Sequence, residues 1–122
     1  MKGDAKIIEV LNEVLTAELT AINQYFVHAE MCESWGYERL LHIIRKESIE
    51  EMKHAEKLIE RVLFLEGIPN VQRLWNIRIG ENVHEIFKAD LALELEALPR
   101  LNHGIETCRE AGDNNSRLLL EA

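Results

Sequence analysis

Between its two prolines and six glycines, this chain sets apolar residues at steps of three and four over long stretches. That period is the signature of long amphipathic α-helices, and no segment carries the alternation of a half-buried strand. The expected fold class is therefore all-α. Its 122 residues, 47% hydrophobic and 30% charged, fit one globular domain rather than a disordered or multi-domain chain. Apolar stretches such as Val62–Leu65 and Leu118–Leu120 fall far short of the roughly 18–20 residues that cross a bilayer, and the Met-Lys-Gly-Asp start has no apolar leader. The expected compartment is the cytoplasm. Cys32 and Cys108 stand far apart with no second cysteine beside either, so both are read as free thiols. A formal charge of −8 argues against nucleic acid and anionic membranes and leaves room for cations.

The first helix is predicted from about Ala5 to Cys32, capped by Asp4 and ended by Ser34-Trp35-Gly36. The second runs from about Tyr37 to Leu65 and is stopped by Glu66-Gly67-Ile68-Pro69-Asn70. A third begins near Asn82, where Glu85 completes a capping box, and continues to about Glu110. After Ala111-Gly112-Asp113, Asp113 or Ser116 caps the start of a fourth helix over 113–122. The short first turn forces an antiparallel hairpin, whereas residues 66–81 show no helical period. Sixteen extended residues reach roughly 50 Å, and a helix of 28 residues is about 42 Å long. This segment can therefore travel the whole bundle and start the third helix where the second began. A bundle with one such long crossover is ferritin-like.

Each of the three long helices carries a glutamate on an otherwise apolar or small seam. The first reads Leu11, Leu15, Glu18, Ile22, Tyr25, Ala29, and the second Ile44, Ser48, Glu51, Ala55, Leu58, Val62, Leu65. The third reads Val83, Phe87, Leu91, Glu94, Leu98, Leu101, Ile105, Cys108. One such glutamate is most simply a carboxylate at a subunit contact; three near mid-helix are another matter. A buried carboxylate costs several kcal/mol unless a cation or proton compensates it, in the range of about 3–5 for an uncompensated buried charge. No lysine or arginine stands on these seams, so a metal is the simplest compensation, and oxygen-rich ligation suits iron or manganese.

Glu51-Met52-Lys53-His54 adds an imidazole, since residues three apart on a helix face the same way. A second Glu-x-x-His, Glu81 to His84, lies in the first turn of the third helix, about 15 Å along the axis from Glu94, and is read as solvent-facing. His28, His42 and His103 have no such carboxylate partner and are placed at the surface or core edge. Tyr25, two turns after Glu18, either bonds a metal-ligating carboxylate or is satisfied by a backbone carbonyl. Met52 points about one hundred degrees from Glu51, on a face with Ile49 and Ile59. That face either packs, or meets a second copy so that two thioethers approach one haem iron.

These residues resemble the bacterioferritin family. The matching stretches include Ala21-Ile22-Asn23-Gln24-Tyr25-Phe26, Glu47-Ser48-Ile49, Glu51-Met52-Lys53-His54-Ala55, Leu63-Phe64-Leu65-Glu66-Gly67, Ile79-Gly80-Glu81 and Asp90-Leu91-Ala92-Leu93-Glu94-Leu95, in order along nearly the whole chain. The resemblance implies a ferritin-like four-helix subunit of a hollow cage that oxidises Fe(II) with oxygen or peroxide at a di-iron centre and stores Fe(III) mineral. It implies Glu18 as a terminal ligand, Glu51 as a bridging ligand, His54 on the same iron as Glu18, and Glu94 on the second iron. Tyr25 becomes a hydrogen-bond partner of a ligand, and Met52 the axial ligand of haem b shared between two subunits.

Three departures accompany the match. By internal spacing, 33 residues from Glu18 to Glu51, the family's second Glu-x-x-His falls at position 127, beyond Ala122. The fourth helix is thus expected to be truncated, leaving four of the six implied ligands. Pro99 stands inside the third helix, where it removes the amide donor to the Leu95 carbonyl and is expected to bend the helix about one turn from Glu94. Lys46 stands where many members carry a histidine near the inner surface. The alternative to a ferroxidase is a haem-binding structural or truncated subunit that co-assembles with full-length partners, or whose copies complete each other's bundles.

Overall fold

The computed structural model describes residues 2–122. It consists of α1 (Ala5–Ser34), α2 (Glu38–Phe64), α3 (Val83–Ala111) and α4 (Asn114–Glu121), with no strand among the described residues. α1, α3 and α4 start on side-chain caps, because the first amides of a helix have no partner within it, while α2 starts at Tyr37 without one. Asp4 accepts from the Lys6 amide at 2.8 Å, Asn82 from Glu85 at 2.9 Å and Asp113 from Ser116 at 3.0 Å. Glu85 also reaches back, though to the amide of Glu81 rather than of Asn82. α1 ends at left-handed Gly36, where the amides of Gly36 and Tyr37 return to the carbonyls of Glu33 and Cys32.

α1 and α2 form the expected antiparallel hairpin, bridged where the Ser48 hydroxyl donates to the Ile22 carbonyl at 3.1 Å. The interior divides into two apolar clusters. One gathers Ile7, Leu11 and Leu15 with Leu58, Val62 and Leu65, joined by Cys108 and Leu120. The other gathers Ala21, Tyr25 and Ala29 with Leu41, Ile44, Ile86 and Leu93. Each fully buried leucine or isoleucine contributes about 1.5–3 kcal/mol of transfer free energy. Glu18 and Glu51 sit at the level between the two clusters, so apolar packing on both sides fixes the backbone beneath them.

Residues 66–81 form no backbone ladder of their own; the Asn70 side chain accepts from the Gln72 and Arg73 amides, and α1 takes up several of the others. Asn12 accepts from the Asn70 amide and donates to the Ile68 carbonyl, at 2.9 and 3.1 Å. Thr20 accepts from Trp75 at 3.0 Å, Gln24 from Arg78 at 3.0 Å and His28 from Gly80 at 3.1 Å. The crossover therefore runs parallel to α1 from residue 12 to residue 28 and starts α3 at the end where α2 began. His28 is fully buried. Its expected place at the surface or core edge is thus incorrect, because the crossover covers it and both ring nitrogens find partners.

α3 lies antiparallel to α1, and Gly104 lets Leu120 of α4 approach to 3.2 Å of where a Cβ would stand. The seam expected on α3 is only partly buried. Ile86, Leu93, Gly104 and Cys108 face inward, while Phe87 and Leu91, along the groove between α2 and α3, and Leu98 are half-exposed. The eight residues of α4 cover only the Cys108 end of that groove. α4 is pinned by Arg61, which bonds Ser116 at 2.9 Å and Asp113 at 3.0 Å. Pro99 lies within the continuous helix α3, where Arg100 donates to the Glu96 carbonyl and stacks on Trp75 at 4.3 Å.

Candidate metal centre

At the belt between the two apolar clusters, α1 contributes Glu18, and α2 contributes Glu51 and His54 from one face. One ligand atom of each lies within 4.8 Å of the others. His54 Nδ1 is 3.5 Å from Glu51 Oε2 and 3.8 Å from Glu18 Oε2. Glu18 Oε2 is buried with no hydrogen-bond partner among the described residues. An unsatisfied anionic oxygen beside a second carboxylate and an imidazole is costly unless a cation takes the lone pairs. The donor set, two carboxylates and one imidazole, suits a divalent first-row metal such as iron or manganese.

Glu94 on α3 lines the same cavity, of about 250 Å³, with Glu18, Glu51 and His54, and the last turn of α4 walls it with Leu119 and Leu120. It lies outside the three-residue cluster and is held from α1, since the Tyr25 hydroxyl donates to Glu94 Oε1 at 2.5 Å. Of the two sequence-derived options for Tyr25, the structure has the carboxylate bond. Burial, then Glu94, push the Tyr25 hydroxyl well above its ordinary pKa, so it remains a donor. Met52 projects elsewhere, half-exposed with Ile49 on the outer face of α2. Glu81 and His84 are solvent-exposed, as expected.

Burial raises the Glu51 carboxyl above its ordinary pKa and Glu94 adds to this, against the opposing pull of His54. An adjoining cavity of about 460 Å³ is lined by Tyr25, Glu47, Glu50, Glu51, Asp90 and Glu94. Glu47 is raised by burial and by the charges of Asp90 and Glu94. Sequence reasoning passed over Glu47 and Asp90. Each stands four residues before a seam glutamate, a signal masked because the seams step through Ser48 and Leu91.

The chain matches the ferritin-like domain over residues 8–122. It is 50% identical over 121 residues to the bacterioferritin of Mycobacterium leprae, covering 99% of this chain and 76% of that protein. To the bacterioferritin of Streptomyces coelicolor it is 52% identical over 122 residues, covering 73% of that protein. The chain belongs to the bacterioferritin family. To the bacterioferritin of Rhodobacter capsulatus it is 50% identical over 122 residues, covering 100% of this chain and 76% of that protein. Like the fold expected of this family, the observed bundle is all-α with one long crossover. No helix among the described residues is long and apolar enough to cross a membrane.

Proposed function

We propose that this bacterioferritin is an iron-storage subunit that oxidises Fe(II) at the carboxylate site and retains the Fe(III) product in an assembly of copies. The convergence of Glu18, Glu51 and His54 around the unpartnered Glu18 Oε2 carries this reading. Fe(II) is the substrate, and oxygen or peroxide takes the electrons. Glu18 and His54 would hold one ion, Glu51 would face both positions, and Glu94 would hold the second. Tyr25 leaves one oxygen of Glu94 free by engaging the other. Carboxylate ligands favour the more highly charged Fe(III), which makes the electron easier to remove. Buried, unpaired Cys32 and Cys108 fit a reducing cytoplasm. Stopped-flow oxidation of Fe(II) is expected to slow at least about tenfold in Glu18→Ala, in line with loss of a group that fixes a metal site. An unchanged rate overturns the reading.

The half-exposed thioether of Met52 supports a second, compatible role. Two copies meeting at the outer α2 face would offer two Met52 sulfurs to one haem b, a ligation thioethers provide elsewhere. The row Ile68, Val71, Leu74 and Ile77, apolar and outward on the crossover, extends the surface available to a second copy. Native mass spectrometry is expected to show a many-copy assembly with one haem per two chains. A monomer argues against assembly, and haem content unchanged in Met52→Ala removes Met52 as the ligand. The alternative, a haem-binding subunit without a complete ferroxidase centre, predicts haem binding with no Fe(II) oxidation.

A further inference from the structure

Asp90 lies on α3 one turn, about 6 Å along the axis, before Glu94. It is outside the Glu18, Glu51 and His54 cluster, and its Oδ1 is engaged from α1 by Gln24 Nε2 at 2.8 Å and His28 Nδ1 at 3.0 Å. The directions of both bonds follow from their far ends. The Gly80 amide donates to His28 Nε2, so the neutral ring carries its proton on Nδ1 and donates it to Asp90. The Arg78 amide donates to Gln24 Oε1, so the side-chain amide presents its NH2 group to Asp90. Gln24 and His28 are fully buried, and the Asp90 side chain is 13% exposed.

This closed network joins the end of the crossover, α1 and α3 at one level. Tyr25, the residue that bonds Glu94, lies between Gln24 and His28 on the same stretch of α1. Ile86 and Leu93 also pack this stretch of α3 against α1, but apolar contacts are non-directional, whereas the two bonds to Asp90 fix its register. We propose that Asp90 is a positioning residue of the metal centre: by docking on Gln24 and His28 it fixes the axial and rotational setting of α3 that brings Glu94 to Tyr25 and to the cavity of Glu18, Glu51 and His54. The inference rests on the metal-binding reading above. Asp90 acts through Glu94 and not as a ligand, because it belongs neither to the Glu18, Glu51 and His54 cluster nor to the lining of the cavity those residues share with Glu94. A misplacement of about 1 Å is enough to degrade a site of this kind.

Co(II) titration of the metal-free protein, read by visible absorption, tests the role. Asp90→Ala is expected to weaken Co(II) binding about tenfold, the lower end of losses seen when a supporting hydrogen bond to a metal site is removed, and to change the band shape. Asp90→Asn keeps an acceptor oxygen for both donors and is expected to restore affinity and spectrum. Thr20→Val breaks the crossover bond at Trp75 without touching Asp90 and is expected to behave as the parent. Gln24→Leu removes one of the two bonds and is expected to fall between parent and Asp90→Ala, which keeps the test available if the alanine variant does not fold. Nitrogen NMR of labelled histidine should place the His28 proton on Nδ1 in the parent, with its resonance shifted in Asp90→Ala as the bond to the carboxylate is lost. Parent-like affinity and spectrum in both Asp90→Ala and Gln24→Leu overturn the positioning role while leaving the metal reading intact. Failure of Asp90→Asn to rescue, or an equal loss in Thr20→Val, also overturns it. A parent that takes up no Co(II) overturns the metal reading itself.

Discussion

Replacing both Glu18 and Glu51 by glutamine is expected to lower the Fe(II) oxidation rate at least about a hundredfold while making the metal-free protein more stable, by about 1–2 kcal/mol. The two effects have one cause. Glu18 Oε2 is buried without a partner, and Glu51 is held above its ordinary pKa chiefly by burial. In the absence of metal these groups destabilise the fold, and glutamine keeps their shape without the charge. The sign of the pH dependence follows. The folded protein binds the Glu51 proton more tightly than the unfolded chain does, so the contribution to stability is fullest at low pH. It is lost as pH rises from the ordinary carboxylate value of 4.5 through the raised folded-state value. Urea unfolding of the metal-free parent across that window should show a steeper decline than the double variant, in which only Glu47 keeps a raised carboxyl pKa among these neighbours. Metal affinity should rise over the same range, since binding displaces the proton. A double variant less stable than the parent at neutral pH would show that the contacts of these carboxylates with His54 outweigh the cost of burying them.

The seams of α1 and α2 were legible because both helices are buried on the face that carries the period, and Glu18, Glu51 and His54 interrupt it with the wrong polarity. The third seam was legible as a helix face but not as core. Whether Phe87 and Leu91 are covered depends on how far α4 extends along the groove, which no property of α3 encodes. The opposite face of α1 was the larger omission. Asn12, Thr16, Thr20, Gln24 and His28 recur at steps of four, and polar residues at that period read as a solvent face. They are instead the side that meets an extended segment with unpaired amides, where polar groups are required and apolar ones would be costly. A polar stripe on a helix preceding a long structureless crossover is therefore a signal of its docking path. Asp90 became visible only with that path, because its partners are the last two members of the stripe.

Gly80 stands where the crossover turns into α3, and its replacement by alanine is expected to cost about 3 kcal/mol, at the upper end for overpacking. An added Cβ would lie 2.4 Å from the Ile86 amide nitrogen, 2.7 Å from the Glu85 carbonyl carbon and 2.9 Å from the Ile86 Cα. All three are backbone atoms of the first turns of α3, which cannot rotate aside as a flexible side chain would. Relief requires the crossover to lift, and lifting it pulls the Gly80 amide from His28 Nε2, leaving a buried acceptor without its donor. A useful contrast is Gly112, which has φ +73° and open space where its Cβ would be. Gly112→Ala meets only the left-handed backbone penalty, about 1–2 kcal/mol. Urea unfolding of the two variants should therefore rank Gly80→Ala as the more damaging, although Gly112 is the residue whose conformation demands glycine. The Co(II) spectrum separates them further: lifting the crossover releases His28 and with it Asp90, so Gly80→Ala should disturb the metal centre and Gly112→Ala should not. Equal stability losses with unchanged spectra would mean that the α3 start absorbs the methyl group without moving the crossover.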